Sequence, residues 1–311
     1  MTNRLTFAKY FADWVKLYKD GAVRPVTLQK YKNTQKWIEK LAPTLKVKEI
    51  DKRTYQELIN DYAETHEKQT VKDFNTHLKA AILDAVDEGL LGYDPTRKVV
   101  MKGKIPRKKK PKFLSKEELT KLVNALELGS EISWDWFILL VAKTGLRFSE
   151  ALGLTPEDFD FDKATLKIEK AYNYKDASEI SLYADTKNES SKRVITVDEV
   201  ISKQFKKLIE GNDPGEPIFK KCFASSGRVF NSTINDYLKR LCVKAGIPVI
   251  TIHALRHTHG SHLLHADVSI ASISKRLGHA NITTTQEVYL HVIRELEEKD
   301  NDKVMEMLKA M

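Results

Sequence analysis

Cysteine is scarce in this sequence of 311 residues, which has only Cys222 and Cys242. Two thiols are too few for a disulfide framework, and they fit no paired zinc-ligand spacing, so a reducing compartment, the cytoplasm, is the expected location. Long hydrophobic runs are missing as well. No stretch of roughly eighteen or more apolar residues occurs, which excludes a helical membrane span. The opening "MTNRLTFAKYFADWV" lacks the basic, then apolar, then small-residue order of a secretory signal. Internal repeats and low-complexity tracts are absent, which excludes solenoids and arrays. There is no glycine-rich nucleotide-binding loop and no carboxylate cluster that would seat magnesium, so chemistry driven by a nucleotide triphosphate is not expected.

What is present is an ordinary globular composition, 41% hydrophobic and 31% charged, in a chain long enough for two domains. The net charge of +9 is unevenly distributed. Residues 1–101 carry 18 basic side chains against 14 acidic ones, and residues 113–311 carry 27 against 29. Between them "KGKIPRKKKPK" has seven cations, Lys102, Lys104, Arg107, Lys108, Lys109, Lys110 and Lys112, and no acid. Pro106 and Pro111 oppose helix there and like charges extend the chain, so residues 102–112 read as an interdomain linker. A solvated tether would look the same, but a run of cations between two domains also suits a phosphate backbone, whose binding energy comes largely from counterion release.

The first domain, residues 1–101, reads as four helices, in "FAKYFADWVKLY", "TLQKYKNTQKWIEKLA", "DKRTYQELINDYA" and "TVKDFNTHLKAAILDAVDEGLL". The second, residues 113–311, opens with a capping box of Ser115 and Glu118. A buried helix, "SWDWFILLVAK", follows and should end at Thr144-Gly145. Alternating runs in "ATLKIEKAY", "EISLYADTK" and "KRVITV" predict a three-stranded sheet with Lys187 at the tip of its last hairpin. Helical periodicity returns from Ser202 to the end. The fold class is therefore mainly α with a small antiparallel β-sheet, an N-terminal helical bundle preceding a mixed C-terminal domain.

Taken singly, the polar residues of the second domain have ordinary explanations: Arg147 as a helix cap, Lys187 as an exposed turn, His253 and His257 as one face of a helix. The four-residue spacing of those histidines suits two metal ligands, but Ala254 stands where a zinc protease needs its glutamate, and Arg256 would repel a dication. No metal or other cofactor is expected. Phosphoryl transfer does want two arginines, a lysine, imidazoles and a tyrosine. Guanidinium forks can stabilise the negative transition state in place of metal ions. A lysine beside arginines has its pKa lowered and can protonate a leaving alkoxide. A tyrosine ester conserves the phosphodiester's energy for religation, so no ATP is needed.

In order and character, "TGLRFSEALGL", "DTKNESSKRVI", "HALRHTHGSHLL", "LGH" and "TTTQEVYLHV" resemble the signature of tyrosine recombinases of the phage-integrase family. The resemblance spans nearly the whole chain and makes residues 1–101 a core-DNA-binding domain and residues 113–311 a catalytic domain with a tail from about 292. It implies that Arg147 and Arg256 clamp the scissile phosphate and that Lys187 protonates the leaving 5′ oxygen, with Lys192 on the same hairpin as its competitor. It further implies that His253 assists proton transfer, that His279 hydrogen-bonds a phosphate oxygen, and that Tyr289 attacks to give a 3′-phosphotyrosine. Glu150 takes an orienting role behind these groups, while His257 and His259 inherit no catalytic position and are read as structural.

The same resemblance implies four protomers on two double-stranded DNA sites, a Holliday junction, and tail docking onto a neighbouring protomer, for integration or excision of a phage or mobile element. An accessory excision factor or host DNA-bending protein, and a place at the bacterial nucleoid, go with it. The sequence begins directly with the core-binding domain, as expected of a recombinase without arm sites or of one trimmed of its arm-binding domain. Competing readings are a type IB topoisomerase, distinguished by the absence of synapsis, a DNA-binding protein without catalysis, and a metal-dependent hydrolase.

Overall fold

The structure, a computed structural model, describes residues 4–105, 113–174, 183–185, 189–223, 229–289, 305 and 307–309. The chain divides into two compact units, Met1–Lys109 and Lys110–Met311.

The first unit is built from α1 (Phe7–Tyr18), α2 (Pro25–Leu41), α3 (Lys52–Ala63) and α4 (Lys68–Asp87). The starts of α1, α2 and α3 each have a local cause. The Thr6 hydroxyl accepts the Lys9 N–H, the Asp51 carboxylate accepts that of Thr54, and Pro25 opens α2 with its φ already helical. The apolar stripes meet in a core around Phe7, Phe11, Ile38, Ile59, Leu78 and Ile82. The Trp14 indole N–H donates to Asp84 at 2.5 Å, so a partly buried polar atom of the bundle finds a partner 70 residues away. From the segment read as linker, the Lys104 N–H donates to the His66 carbonyl at 2.8 Å, which lays that residue along the entrance to α4. Arg107, Lys108, Lys109, Lys110 and Lys112 lie outside the described residues.

The second unit begins with α5 (Lys116–Asn124), and the predicted Ser115–Glu118 capping box is present in both directions. The apolar α6 (Trp134–Thr144) is buried nearly all round and ends at Gly145. It packs against α10 (Ile252–His265), while α7 (Phe148–Leu152), α8 (Glu199–Leu208), α9 (Asn231–Lys244) and α11 (Ile270–Leu277) complete the named helices. Residues 282–289 are helical. Mainly helical structure with a small antiparallel sheet is as expected. Among the described residues, no helix is long and apolar enough to cross a membrane.

The strands differ from expectation. β1 (Phe159–Asp160), β2 (Thr165–Ile168) and β5 (Arg193–Thr196) form one antiparallel sheet in the order β1-β2-β5. β3 (Lys170–Tyr172) and β4 (Tyr183–Asp185) form a separate two-stranded sheet. "ATLKIEKAY" is thus two strands, and β5 pairs with β2, with Leu166 opposite Ile195 and Ile168 opposite Arg193. The break has a physical reason. Lys170 is in phase with the buried Leu166 and Ile168, but its ammonium instead pairs with Asp158 at 2.9 Å and donates to the Thr155 hydroxyl at 2.8 Å. Lys187, the predicted hairpin tip, lies outside the described residues.

Phe137 is fully buried and meets Phe219 edge to face at 5.0 Å between ring centroids. Phe137→Ala is expected to lower the stability of the second unit by about 3–5 kcal/mol. Ser115→Ala, which removes only the cap, should cost about 1 kcal/mol. Urea titration of both variants against the unaltered chain checks the ratio.

Candidate active site

Three elements of the second unit, together with the helical residues 282–289 that end in Tyr289, bring the predicted groups together. The turn after α6 carries Arg147, which opens α7, and Glu150 lies one turn on. Helix α10 carries His253, Arg256, His257, His259 and Gly260. Helix α11 ends in Gly278, and His279 follows.

The end of α11 is where they meet. A helix C-terminus leaves its last carbonyls without intrahelical donors and concentrates negative partial charge there. Here three consecutive carbonyls each accept from a different arginine. Arg193 Nε donates to the Arg276 carbonyl at 2.7 Å, Arg256 Nη2 to that of Leu277 at 2.6 Å, and Arg147 Nη2 to that of Gly278 at 2.6 Å. Arg256 Nη1 reaches the Gly145 carbonyl at 2.7 Å, tying the end of α6 to the end of α11. Gly278 has φ of 67°, and a Cβ there would lie 2.8 Å from Arg193 Nη1, so both its backbone and its lack of a side chain are required.

Glu150 balances part of this charge. Its Oε1 accepts from Arg147 Nη1 at 2.6 Å and Arg193 Nη1 at 3.2 Å, and its Oε2 from Arg193 Nη2 and the Arg147 main-chain N–H, both at 2.9 Å. Burial alone would raise its pKa. The hydrogen bonds and charge of Arg193, then the charges of Arg147 and Arg256, hold it down to about 2. Three guanidiniums against one carboxylate leave the cluster cationic. Arg256 is 2% exposed, whereas the Arg147 side chain retains 33% of its surface. Burial and the charge of Arg147 work against the charged form of Arg256, and Glu150 offsets them.

The histidines differ in surroundings. His253 is exposed to solvent, yet packing around its ring and the charges of Arg256 and Arg147 hold its pKa below the ordinary 6.5. His279 Nδ1 is hydrogen-bonded to the Thr285 hydroxyl at 2.8 Å, and burial followed by the charges of Arg256 and Arg147 holds this ring down to about 4. His257 stands between two other rings, 4.5 Å from His253 and 6.3 Å from Tyr289 by centroid. His259 is buried and joins α6 to α11: its Nδ1 bonds the Ala142 carbonyl and its Nε2 the Arg276 Nε, each at 3.0 Å. Accepting from arginine assigns it the neutral tautomer protonated on Nδ1.

Tyr289 is 1% exposed, in a small cluster with Leu264, Ile273 and Leu277. Among the described residues its hydroxyl has no hydrogen-bond partner, and burial pushes its pKa up to about 12, with Arg256 acting in the opposite direction. The ring end fits a notch over Gly260, where any Cβ would fall directly on the hydroxyl oxygen. Arg147, Glu150, His253, Arg256, His279 and Tyr289 are thus gathered around α10 and α11, while Lys187 lies outside the described residues. Sequence reasoning passed over Arg193, Arg276 and Gly260. For Arg193 a signal existed: it shares the inward phase of β5 with Ile195, while the apolar Val194 faces out.

The model of the phage integrase family matches residues 112–295. The chain is 28% identical over 338 residues to the integrase of Staphylococcus phage L54a, covering 95% of this chain and 92% of that one. It is 28% identical over 262 residues to a XerC-like tyrosine recombinase of Caldanaerobacter subterraneus subsp. tengcongensis, covering 75% of this chain and 64%, just under two thirds, of that relative. Among solved structures, the Tn1549 transposon integrase in complex with a circular intermediate DNA superposes with a TM-score of 0.76 at 19% identity, covering 95% of this chain and 99% of that one. A lambda integrase tetramer bound to a Holliday junction gives 0.67 at 18% identity, covering 90% and 79%. At these identities the structural likeness shows the fold.

Two outcomes follow from the geometry. Gly260→Ala must displace the Tyr289 ring, so nitration of Tyr289 by tetranitromethane, located by peptide mapping, is expected to be faster in that variant. The depressed pKa values of His279 and Glu150 mean that the unfolded chain takes up their protons first as the pH falls. Their contribution is therefore complete above about 6.5, declines towards 4 as His279 protonates, and declines again from 4.5 towards 2 with Glu150. Urea midpoints measured across this range should fall accordingly, and His279→Gln should make the first decline shallower.

Proposed function

The chain belongs to the phage integrase family, and we propose that it is a site-specific DNA recombinase, an integrase that cuts and rejoins strands of double-stranded DNA through a 3′-phosphotyrosine on Tyr289. The observation that carries the reading is the convergence of Arg147 and Arg256 on one helix end, beside His253, His279 and the tyrosine. Two guanidiniums held by protein carbonyls before any phosphate arrives form a preorganised cationic clamp, the arrangement that stabilises charge on non-bridging oxygens. In the proposed step the Tyr289 oxygen attacks phosphorus, the bond to the 5′ oxygen breaks, and Lys187 supplies the proton that leaves with it as a hydroxyl. The 5′ hydroxyl of a partner strand then reverses the step, so neither metal nor ATP is consumed. His253 moves the nucleophile's proton. His279, with Nδ1 committed to Thr285, presents Nε2 to a phosphate oxygen. Glu150 orients Arg147.

In this reading residues 1–101 bind the core site, and Lys102, Lys104, Arg107, Lys108, Lys109, Lys110 and Lys112 follow the phosphate backbone between the two domains. Four protomers on two sites exchange strands through a Holliday junction, with the tail from about 292 docked on a neighbouring protomer. An accessory excision factor or a host DNA-bending protein sets direction, in the cytoplasm at the bacterial nucleoid. The substrate is the attachment sequence of a phage or mobile element.

Incubating the protein in chelator with nicked duplex carrying attachment sequence from the genome around its gene, then resolving on a denaturing gel, tests the chemistry. A covalent adduct is expected with the unaltered chain and none with Tyr289→Phe, and Arg256→Ala should reduce its rate by about 10²–10³-fold. Binding without any adduct would overturn the reading. Replacing the linker cations by serine should weaken binding at all sequences alike and flatten the plot of log K against log salt by about 0.9 for each phosphate that is no longer neutralised.

A further inference from the structure

We infer that Arg193 is a positioning residue for strand cleavage, acting through Glu150 and the end of α11 to hold Arg147 and Arg256 in the geometry that receives the scissile phosphate. The inference rests on the reading of Arg147 and Arg256 as the phosphate clamp. Arg193 does not face DNA, since its side chain is only 4% exposed. Its donors are spent on protein: Nε on the Arg276 carbonyl, Nη1 on the Ser191 carbonyl and Glu150 Oε1, and Nη2 on Glu150 Oε2. A guanidinium that engages both oxygens of a carboxylate fixes its plane as well as its position. The Glu150 plane decides where Arg147 lies, because Oε1 takes Arg147 Nη1 and Oε2 takes the Arg147 main-chain N–H. The contact with Arg276 also fixes the first of the three carbonyls that the arginines share, next to those taken by Arg256 and Arg147.

Lysine at this position would keep the charge and much of the buried stem but not the fork. Arg193→Lys should therefore misplace the clamp while leaving the fold and DNA binding in place. Two duplexes separate the roles, one with the natural diester at the cleavage position and one with a methylphosphonate. In the second a methyl group replaces one non-bridging oxygen, and the negative charge that the clamp neutralises is gone. Single-turnover adduct formation by Arg193→Lys is expected to be roughly 10–100-fold slower than by the unaltered chain on the diester. On the methylphosphonate the penalty should shrink to about threefold or less, with DNA affinity within about twofold. Glu150→Gln, which keeps the shape of the carboxylate, should reproduce the pattern, and the double variant should be little worse than either alone because both act on one group. It also carries the test if the lysine variant does not fold. Equal penalties on the two duplexes, or no penalty, with a normal adduct from the unaltered chain, would overturn this inference alone. No adduct from the unaltered chain on either duplex would overturn the clamp reading and this inference with it.

Discussion

Three arginine side chains share the last carbonyls of α11, two of them also share one buried carboxylate, and the arrangement of the site follows from that electrostatic knot. Guanidiniums taken out of water beside one another are unstable unless every donor finds an acceptor and part of the charge is cancelled. Glu150 supplies the cancellation. The α11 terminus supplies carbonyls already polarised by the helix dipole. What remains is net positive charge in a site held by main-chain groups of Gly145, Arg147, Ser191 and the end of α11, the condition under which a phosphate is bound without reorganising the protein.

Helix α10 ties this knot to the tyrosine. His253, Arg256, His257 and Gly260 follow one another at spacings of three, one and three residues, so helical geometry puts all four on one face. Arg256 and the notch for Tyr289 are consequently one turn apart on the same helix. The position of Tyr289 relative to Arg147 and Arg256 depends on how residues 282–289 pack among Leu264 of α10 and Ile273 and Leu277 of α11. His259 and Arg276, outside the proposed chemistry, brace the arrangement from behind by joining α10, α6, β5 and α11.

Much of this was legible in the residues. Periodicity marked the four helices of the first unit, and caps marked the start of α5 at Ser115 and the end of α6 at Gly145, because these are properties of neighbours in sequence. The set of two arginines, a lysine, imidazoles and a tyrosine pointed to phosphoryl transfer, and the order of Arg147, Lys187, His253, Arg256, His279 and Tyr289 carried the resemblance to the family. Strand pairing was less legible. The partner of β5 is β2 rather than the strand just before it, and the division of "ATLKIEKAY" turns on an ion pair between Lys170 and Asp158, twelve residues apart.

By itself, then, the sequence determined which elements form and which chemical groups are available, since local propensity and hydrophobic phase depend on residues close along the chain. Only the tertiary structure decided which carbonyls each arginine caps, that Arg193 joins Glu150 in the buried network, and that Gly260 rather than some other small residue seats Tyr289. Those outcomes depend on contacts between residues as far apart as Arg147 and Gly278, or Arg256 and Gly145. A buried charge acquires its role from the acceptors that surround it, and no local pattern specifies those.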